Sequence, residues 1–143
     1  MENFTAKLSG KVVVLRLDPG DRLLESIQAA IQKEGIKDGY IASAIGTLDH
    51  CVMHMVMTTG YPAVEYFARW EDKPLELSSI DGIIADGFPH LHMVVADNEH
   101  AYAGHLEPGC RVLYLAEIVI VELDQANLKR VRNERGINEL ARR

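Results

Sequence analysis

Hydrophobic and polar positions follow two rhythms along the chain, one helical and one typical of strands. Leucines and isoleucines recur at three- and four-residue spacing from residue 23 to residue 31, which predicts an amphipathic helix. Gly35 can end this helix in the left-handed conformation, and Asp18 or Asp21 can cap its first free amides. Segments rich in β-branched and aromatic residues, bounded by turn residues, predict strands. These segments are 11–17, 39–47, 51–58, 64–70, 75–84, 89–95, 111–123 and 128–132, with a further segment around His105.

One helix among many strands joined by short turns is typical of an α+β domain. We expect a mostly antiparallel sheet with one main N-terminal amphipathic helix packed on it. A chain of 143 residues is long enough to bury one hydrophobic core, so residues 1–143 should form a single domain. The segment 111–123 is the longest apolar strand, which predicts a central position. Together with residues 52–57 it holds more large apolar side chains than one helix can cover, which favours self-association.

Charge is distributed unevenly along the chain. The formal net charge is −6, but residues 1–127 hold nine Lys or Arg against nineteen Asp or Glu, whereas residues 128–143 hold six against two. An acidic body repels phosphate backbones, so any contact with DNA would have to use the basic C-terminal tail, residues 128–143. The simpler interpretation of this tail is a solvated end.

Membrane insertion and secretion find no support in the sequence. The longest apolar runs, such as residues 10–15, are too short to span a bilayer, and residues 1–4 lack the basic and apolar regions of a secretory leader. We therefore expect a cytoplasmic protein without membrane contact. Cys51 and Cys110 each lie in an apolar segment outside any CxxC pair, which indicates small buried side chains.

Three histidines are the candidates for chemistry. His90 and His92 are separated by one residue, so their side chains share a face of a strand. If the strand of His105 pairs beside them, three imidazoles could converge on a divalent cation such as zinc and leave a fourth position for water. The alternative is that carboxylates or water satisfy these histidines at a subunit contact. His50 and His54 also share a face, but exposed or hydrogen-bonded roles explain them more simply.

Carboxylates near this cluster could support it. Glu107 would share a strand face with His105, and Glu76 and Glu117 are further candidates for a fourth ligand, an orienting partner or a general base. A structural role is the simpler interpretation of each. The sequence has no Ser-His-Asp order, P-loop or dinucleotide fingerprint. A metal-assisted hydrolytic activity is therefore compatible with the histidines but has no independent support.

Several short motifs occur along the chain in a fixed order. They are Leu17-Asp18-Pro19-Gly20-Asp21, Ile45-Gly46-Thr47-Leu48, Leu75-Glu76-Leu77-Ser78-Ser79-Ile80-Asp81-Gly82, His90-Leu91-His92, Gly104-His105-Leu106 and Ala116-Glu117-Ile118-Val119-Ile120. In this order they resemble the plant and prokaryote conserved (PPC) domain family, from about residue 10 to residue 130. The resemblance implies a single α+β domain with an antiparallel sheet that assembles as a homotrimer. It also associates metal binding with His90, His92 and His105.

The resemblance raises DNA as a second hypothesis, because plant members carry AT-hook segments and act as nuclear DNA-binding regulators. This sequence has no basic segment with a Gly-Arg-Pro core, so the element that reads the minor groove in those proteins is missing. We expect a trimeric module with a histidine-based divalent-metal site, zinc being the expected ion, that binds a small anionic ligand. The alternative is a DNA-associated regulator whose basic tail contacts phosphates.

Overall fold

The protein is described by a computed structural model over residues 10–143, so the expectation about residues 1–4 lies outside the described range. Within that range the chain has one α-helix and nine β-strands. In order they are β1 (Val12–Leu17), α1 (Leu23–Glu34), β2 (Gly39–Val56), β3 (Glu65–Trp70), β4 (Leu75–Ala85), β5 (Phe88–Ala96), β6 (Ala101–Leu106), β7 (Arg111–Glu122), β8 (Leu128–Arg132) and β9 (Asn138–Arg142). The predicted α+β class with a mostly antiparallel sheet is confirmed.

Seven of the described strands form one sheet in the order β1-β7-β2-β4-β5-β6, with β3 attached to β2. All its pairings are antiparallel. The last strand of this order, β6, also pairs with β2, so β2, β4, β5 and β6 close on one another as a ring. β7 lies between β1 and β2, which confirms that the long apolar segment has strand neighbours on both sides.

Strand β2 corrects the prediction of two separate strands at 39–47 and 51–58. It runs without a break for 18 residues, and its pairing register with β7 shifts on either side of Leu48, next to the polar residues Asp49 and His50. Its first half pairs with β4 and β7, and its second half pairs with β3 and β6. One strand thus joins the two halves of the sheet.

Helix α1 covers one face of the sheet as predicted. Its buried residues are Leu23, Leu24, Ile27, Ala30 and Ile31. Gly35 ends it in the left-handed conformation, but the predicted aspartate cap is wrong. The carboxylate of Asp21 accepts the amide of Asp18 instead, and the amide of Leu23 donates to the carbonyl of Cys110 at 3.0 Å. Within residues 10–143 no helix is long and apolar enough to cross a membrane.

The two cysteines are fully buried, as their apolar surroundings predict. Cys51 and Cys110 are both free thiols with no exposed surface. The sulfur of Cys110 accepts the amide of Val52 at 3.2 Å, which fixes the loop before β7 against β2. Both residues belong to the main hydrophobic core and have a packing role.

The basic end of the chain folds as a hairpin of its own. Strand β8 forms where it was predicted, but it pairs with β9 in a separate two-stranded sheet and is not an edge of the main sheet. Leu128 packs with Ala85 and Ala126 in a second small core. The guanidinium of Arg143 forms an ion pair with Asp38 at 2.8 Å. The interpretation as a merely solvated end is therefore corrected.

Candidate metal centre

The three predicted histidines lie together where β5 meets β6. His90 and His92 share the exposed face of β5, and His92 is the direct cross-strand partner of His105 on β6. The ring centroids are 5.5 Å apart for His90 and His92, 4.9 Å for His90 and His105, and 5.3 Å for His92 and His105. One ring nitrogen from each side chain lies within 4.8 Å of the others. The convergence expected from the spacing is thus present in the fold.

The electrostatics of the cluster favour neutral imidazoles. Burial, followed by the charges of His54 and His90, lowers the pKa of His105 to about 4. Burial also lowers the pKa of His90, and the charges of Arg130 and His92 act in the same direction. A neutral ring nitrogen is the form that coordinates a cation. Together with His92, these two residues form three imidazole donors with an open side, the kind of set that a zinc ion with a free coordination position uses.

A fourth histidine joins the cluster from β2. The ring of His54 stacks on that of His105 at 4.5 Å, with an interplanar angle of 27°. Its Nδ1 donates to Glu107 Oε1 at 2.5 Å. His54, His105 and Glu107 form a second group whose ligand atoms all lie within 4.8 Å of one another. The sequence pointed to Glu107, but it gave no reason to place His54 beside His105, because that contact depends on the distant β2–β6 pairing.

Gly104 is what allows β6 to approach β2 so closely. A Cβ atom at this position would lie 2.8 Å from the carbonyl oxygen of His54 and 3.1 Å from the sulfur of Met53. Any other residue would therefore push the two strands apart. Since His54 and His105 are cross-strand partners, the glycine beside them controls the distance between the two imidazoles.

The remaining candidates lie elsewhere. His50 belongs to a separate polar group, in which its Nδ1 donates to Asp49 at 3.0 Å and Arg111 binds the same carboxylate. Glu76 pairs across the strands with Thr47 and Ala96, and Glu117 pairs with Arg16 and Ile45. Neither glutamate belongs to the two histidine groups found within the described residues.

A cleft of about 650 Å³ opens beside the histidines, between the start of β5 and the β8–β9 hairpin. His90 and His105 line one wall, and Lys129 and Arg130 line another. A smaller opening of about 310 Å³ lies on the other side of the cluster, at His54 and His92. A ligand in the larger cleft would touch neutral nitrogen donors and cationic side chains together.

Comparison with protein families gives a match over most of the chain. The model of the Plants and Prokaryotes Conserved (PCC) domain matches residues 4–124. This range contains all three predicted metal ligands, whereas the β8–β9 hairpin lies beyond it.

Solved structures with the same fold come from archaea and bacteria. A metal-containing protein from Archaeoglobus fulgidus superposes with a TM-score of 0.82 and 26% identity, covering 99% of both chains. A plant- and prokaryote-conserved protein from Pyrococcus horikoshii gives a TM-score of 0.78 and 24% identity over 96% of this chain and 94% of the other. A candidate DNA-binding protein from Bacteroides thetaiotaomicron gives 0.80 and 19% identity over 96% of each chain. The last two likenesses show the fold alone.

Curated relatives contain a similar segment within much longer chains. The bifunctional protein GlmU of a Synechococcus strain is 28% identical over 121 residues, which are 84% of this chain. The matched part spans only 18% of that relative. The similarity therefore concerns one segment of a much longer protein.

Proposed function

Since the chain belongs to the Plants and Prokaryotes Conserved domain family, we propose that it is a metal-centred ligand-binding module in which His90, His92 and His105 hold one divalent ion. Zinc is the expected ion, because three imidazole ligands with an open position suit it. The main support is the approach of the three ligand nitrogens to within 4.8 Å. The similar protein from A. fulgidus, described as metal-containing, adds support from a relative.

The ligand that best suits this centre is small and anionic. A bound divalent ion supplies Lewis-acid attraction for an oxygen atom of the ligand. The chain adds the cationic wall of the cleft at Lys129 and Arg130. We propose binding as the function of the site; a hydrolytic reaction would need a positioned base, and Glu107, the carboxylate beside the cluster, is hydrogen-bonded to His54.

Assembly as a homotrimer is part of the same proposal. Large apolar side chains remain exposed on β1, β2 and β7. They are Val12, Val14, Ile45, Tyr114 and Leu115, whose exposed fractions run from 44% to 70%. Monomeric soluble proteins rarely leave large apolar patches uncovered. Cyclic contact between identical subunits would cover them. The number three comes from the family resemblance, and a neighbouring subunit at this face could contribute to the cleft.

DNA binding is the weaker candidate, because two of the six cations in the basic end of the chain already contact other groups of the protein. Arg143 contacts Asp38 and Asp86, and the guanidinium of Arg135 lies 5.1 Å from the ring centroid of Tyr61. An electrostatic DNA-binding surface needs several cations free to contact successive phosphates. The body of the chain also carries the excess of acidic residues described above.

Metal analysis of purified protein tests the proposal directly. The wild-type chain should contain up to one divalent ion per subunit by mass spectrometry of the metal, and His92→Ala should lose most of it because one of three nitrogen ligands is gone. His100→Ala is the matched control, since His100 is an exposed histidine in the β5–β6 turn outside the cluster. Wild-type metal content in His92→Ala would contradict the assignment.

A further inference from the structure

The β8–β9 hairpin brings a guanidinium to the wall of the cleft that faces the histidines. Arg130 lines this cleft together with His90 and His105. Arg130 is 40 positions from His90 in the sequence, so the hairpin fold alone creates this proximity.

The guanidinium of Arg130 is poorly satisfied by the protein. Its Nε is buried and has no hydrogen-bond partner within residues 10–143. Its Nη1 reaches only the carbonyl oxygen of Asn138, at 3.4 Å, which is long for a hydrogen bond. A buried donor without an acceptor is costly, and native proteins keep few of them. The planar donor fork of arginine matches the oxygens of carboxylate and phosphate groups.

The charged side chains that line the cleft also favour an anionic ligand. The carboxylate that lines it, Asp86, is already paired with Arg143 at 2.7 Å. Lys129 lines the same cleft, and no ion pair within the described chain involves Lys129 or Arg130. A protein of net charge −6 thus has a local excess of positive charge beside the histidine cluster.

We propose that Arg130 is the specificity-determining residue of this site and binds an oxyanion group, carboxylate or phosphate, of the small ligand. This deepens the proposed function and rests on it, because the second contact of the same ligand is the ion held by the histidines. The basic segment at 128–132 thereby serves ligand recognition and not DNA. A neutral ligand of the same size offers the guanidinium only an uncharged acceptor, which is a weaker partner than an oxyanion.

The test uses the metal-loaded chain with inorganic phosphate and acetate as probes, and acetamide as the neutral counterpart of acetate. Calorimetric titration should show binding of at least one anion and none of acetamide. Arg130→Gln should weaken anion binding tenfold or more, the usual effect of removing a hydrogen bond to a charged group. Arg142→Gln is the matched control, because Arg142 is an exposed arginine of the same hairpin and the change in net charge is identical. It should alter binding less than twofold.

A second measurement needs no substitution. The Nε–H resonance of Arg130 in the wild-type protein should shift when the binding anion is added, and the Nε–H resonance of Arg142 should not. Comparison of phosphate with acetate identifies which oxyanion class the site prefers. A wild-type protein that binds neither anion, or an Arg130 resonance that stays fixed while an anion binds, overturns the proposal.

Metal content measured on the same samples separates this inference from the metal proposal. Metal-loaded Arg130→Gln that binds anions as tightly as the wild type contradicts the role of Arg130 and leaves the metal centre standing. A chain that holds no metal but binds phosphate through Arg130 contradicts the metal centre and leaves the role of Arg130 standing.

Discussion

Asp38 is the residue whose replacement should disturb the C-terminal hairpin most. Its side chain is 3% exposed. Its Oδ2 accepts the amide of Leu128 at 3.1 Å and Nη2 of Arg143 at 2.8 Å, and its Oδ1 accepts the amide of Asp86 at 3.1 Å. One carboxylate therefore ties both ends of the β8–β9 hairpin to the turn between β4 and β5. Asp38→Ala removes both acceptor oxygens, and with them all three hydrogen bonds, without adding bulk.

The cost follows from the groups that lose a partner. Removing one member of a buried ion pair costs about 3–5 kcal/mol, but the side chain of Arg143 is 31% exposed and can turn toward water. The buried amide of Leu128 cannot turn toward water, and an unsatisfied buried amide costs about 1–3 kcal/mol. Together these contributions place the loss at about 3 kcal/mol. Burial of the Leu128 side chain contributes only roughly 1.5–3 kcal/mol, so the hairpin should detach before the main sheet unfolds.

Two probes distinguish local detachment from global unfolding. Hydrogen exchange at the amides of β8 should accelerate about a hundredfold in Asp38→Ala, since 1.4 kcal/mol corresponds to a factor of ten. Fluorescence of the single tryptophan, Trp70 on β3, reports on the main sheet and should show a much smaller shift in urea unfolding. Anion binding should weaken as well, because Arg130 is carried by the detached hairpin.

Asp86→Ala is the matched control. Asp86 also pairs with Arg143, but its side chain is 47% exposed, so its loss should cost less than about 1 kcal/mol. The reasoning is refuted if the amides of β8 exchange within threefold of the wild-type rate in Asp38→Ala.

Three further predictions concern acid stability, assembly and DNA. The guanidinium of Arg111 holds the pKa of Asp49 at about 2, below its ordinary 3.8, so this ion pair stabilises the fold above pH 3.8 and the contribution is lost as the pH falls through 2. Urea unfolding should therefore show Asp49→Asn costing about 1–2 kcal/mol at pH 6 and little near pH 2, and an equal cost at both pH values would contradict this. Sedimentation should give about three times the 15.9 kDa chain mass for the wild type and one chain for Val14→Glu, whereas a monomeric wild type would exclude the trimer. Gel-shift titration should show no specific duplex binding at physiological salt, and submicromolar sequence-selective binding would contradict this expectation.

Local patterns were sufficient for most secondary structure and for part of the site. The helix and the strands follow from side-chain periodicity, which involves neighbouring residues only. The shared face of His90 and His92 follows from the two-residue period of a strand. His105 joins them because β6 pairs with β5. These two strands are consecutive, and only four residues connect them. Short antiparallel connections of this kind are the ones that a sequence indicates well.

Long-range contacts account for what the sequence did not reveal. His54 reaches His105 only through the β2–β6 pairing, and Arg130 reaches the cleft only through the docking of a separate hairpin. No local periodicity encodes either contact. The prediction of an aspartate cap on α1 was wrong for a similar reason. The first amide of the helix donates to the carbonyl of Cys110, nearly ninety positions away.

The length of β2 has a consequence for how the protein is made. Tyr40 pairs with Val121, and His54 pairs with His105. The partners of β2 are therefore synthesised much later than β2 itself. Closing such long loops is entropically costly, and chains rich in such pairings fold slowly. The β4–β5 and β5–β6 hairpins can form as they leave the ribosome, but β2 cannot acquire β7 until about residue 122 has emerged. We therefore expect nascent chains that stop before β7 to depend on chaperones, because the apolar face of β2 stays uncovered until then.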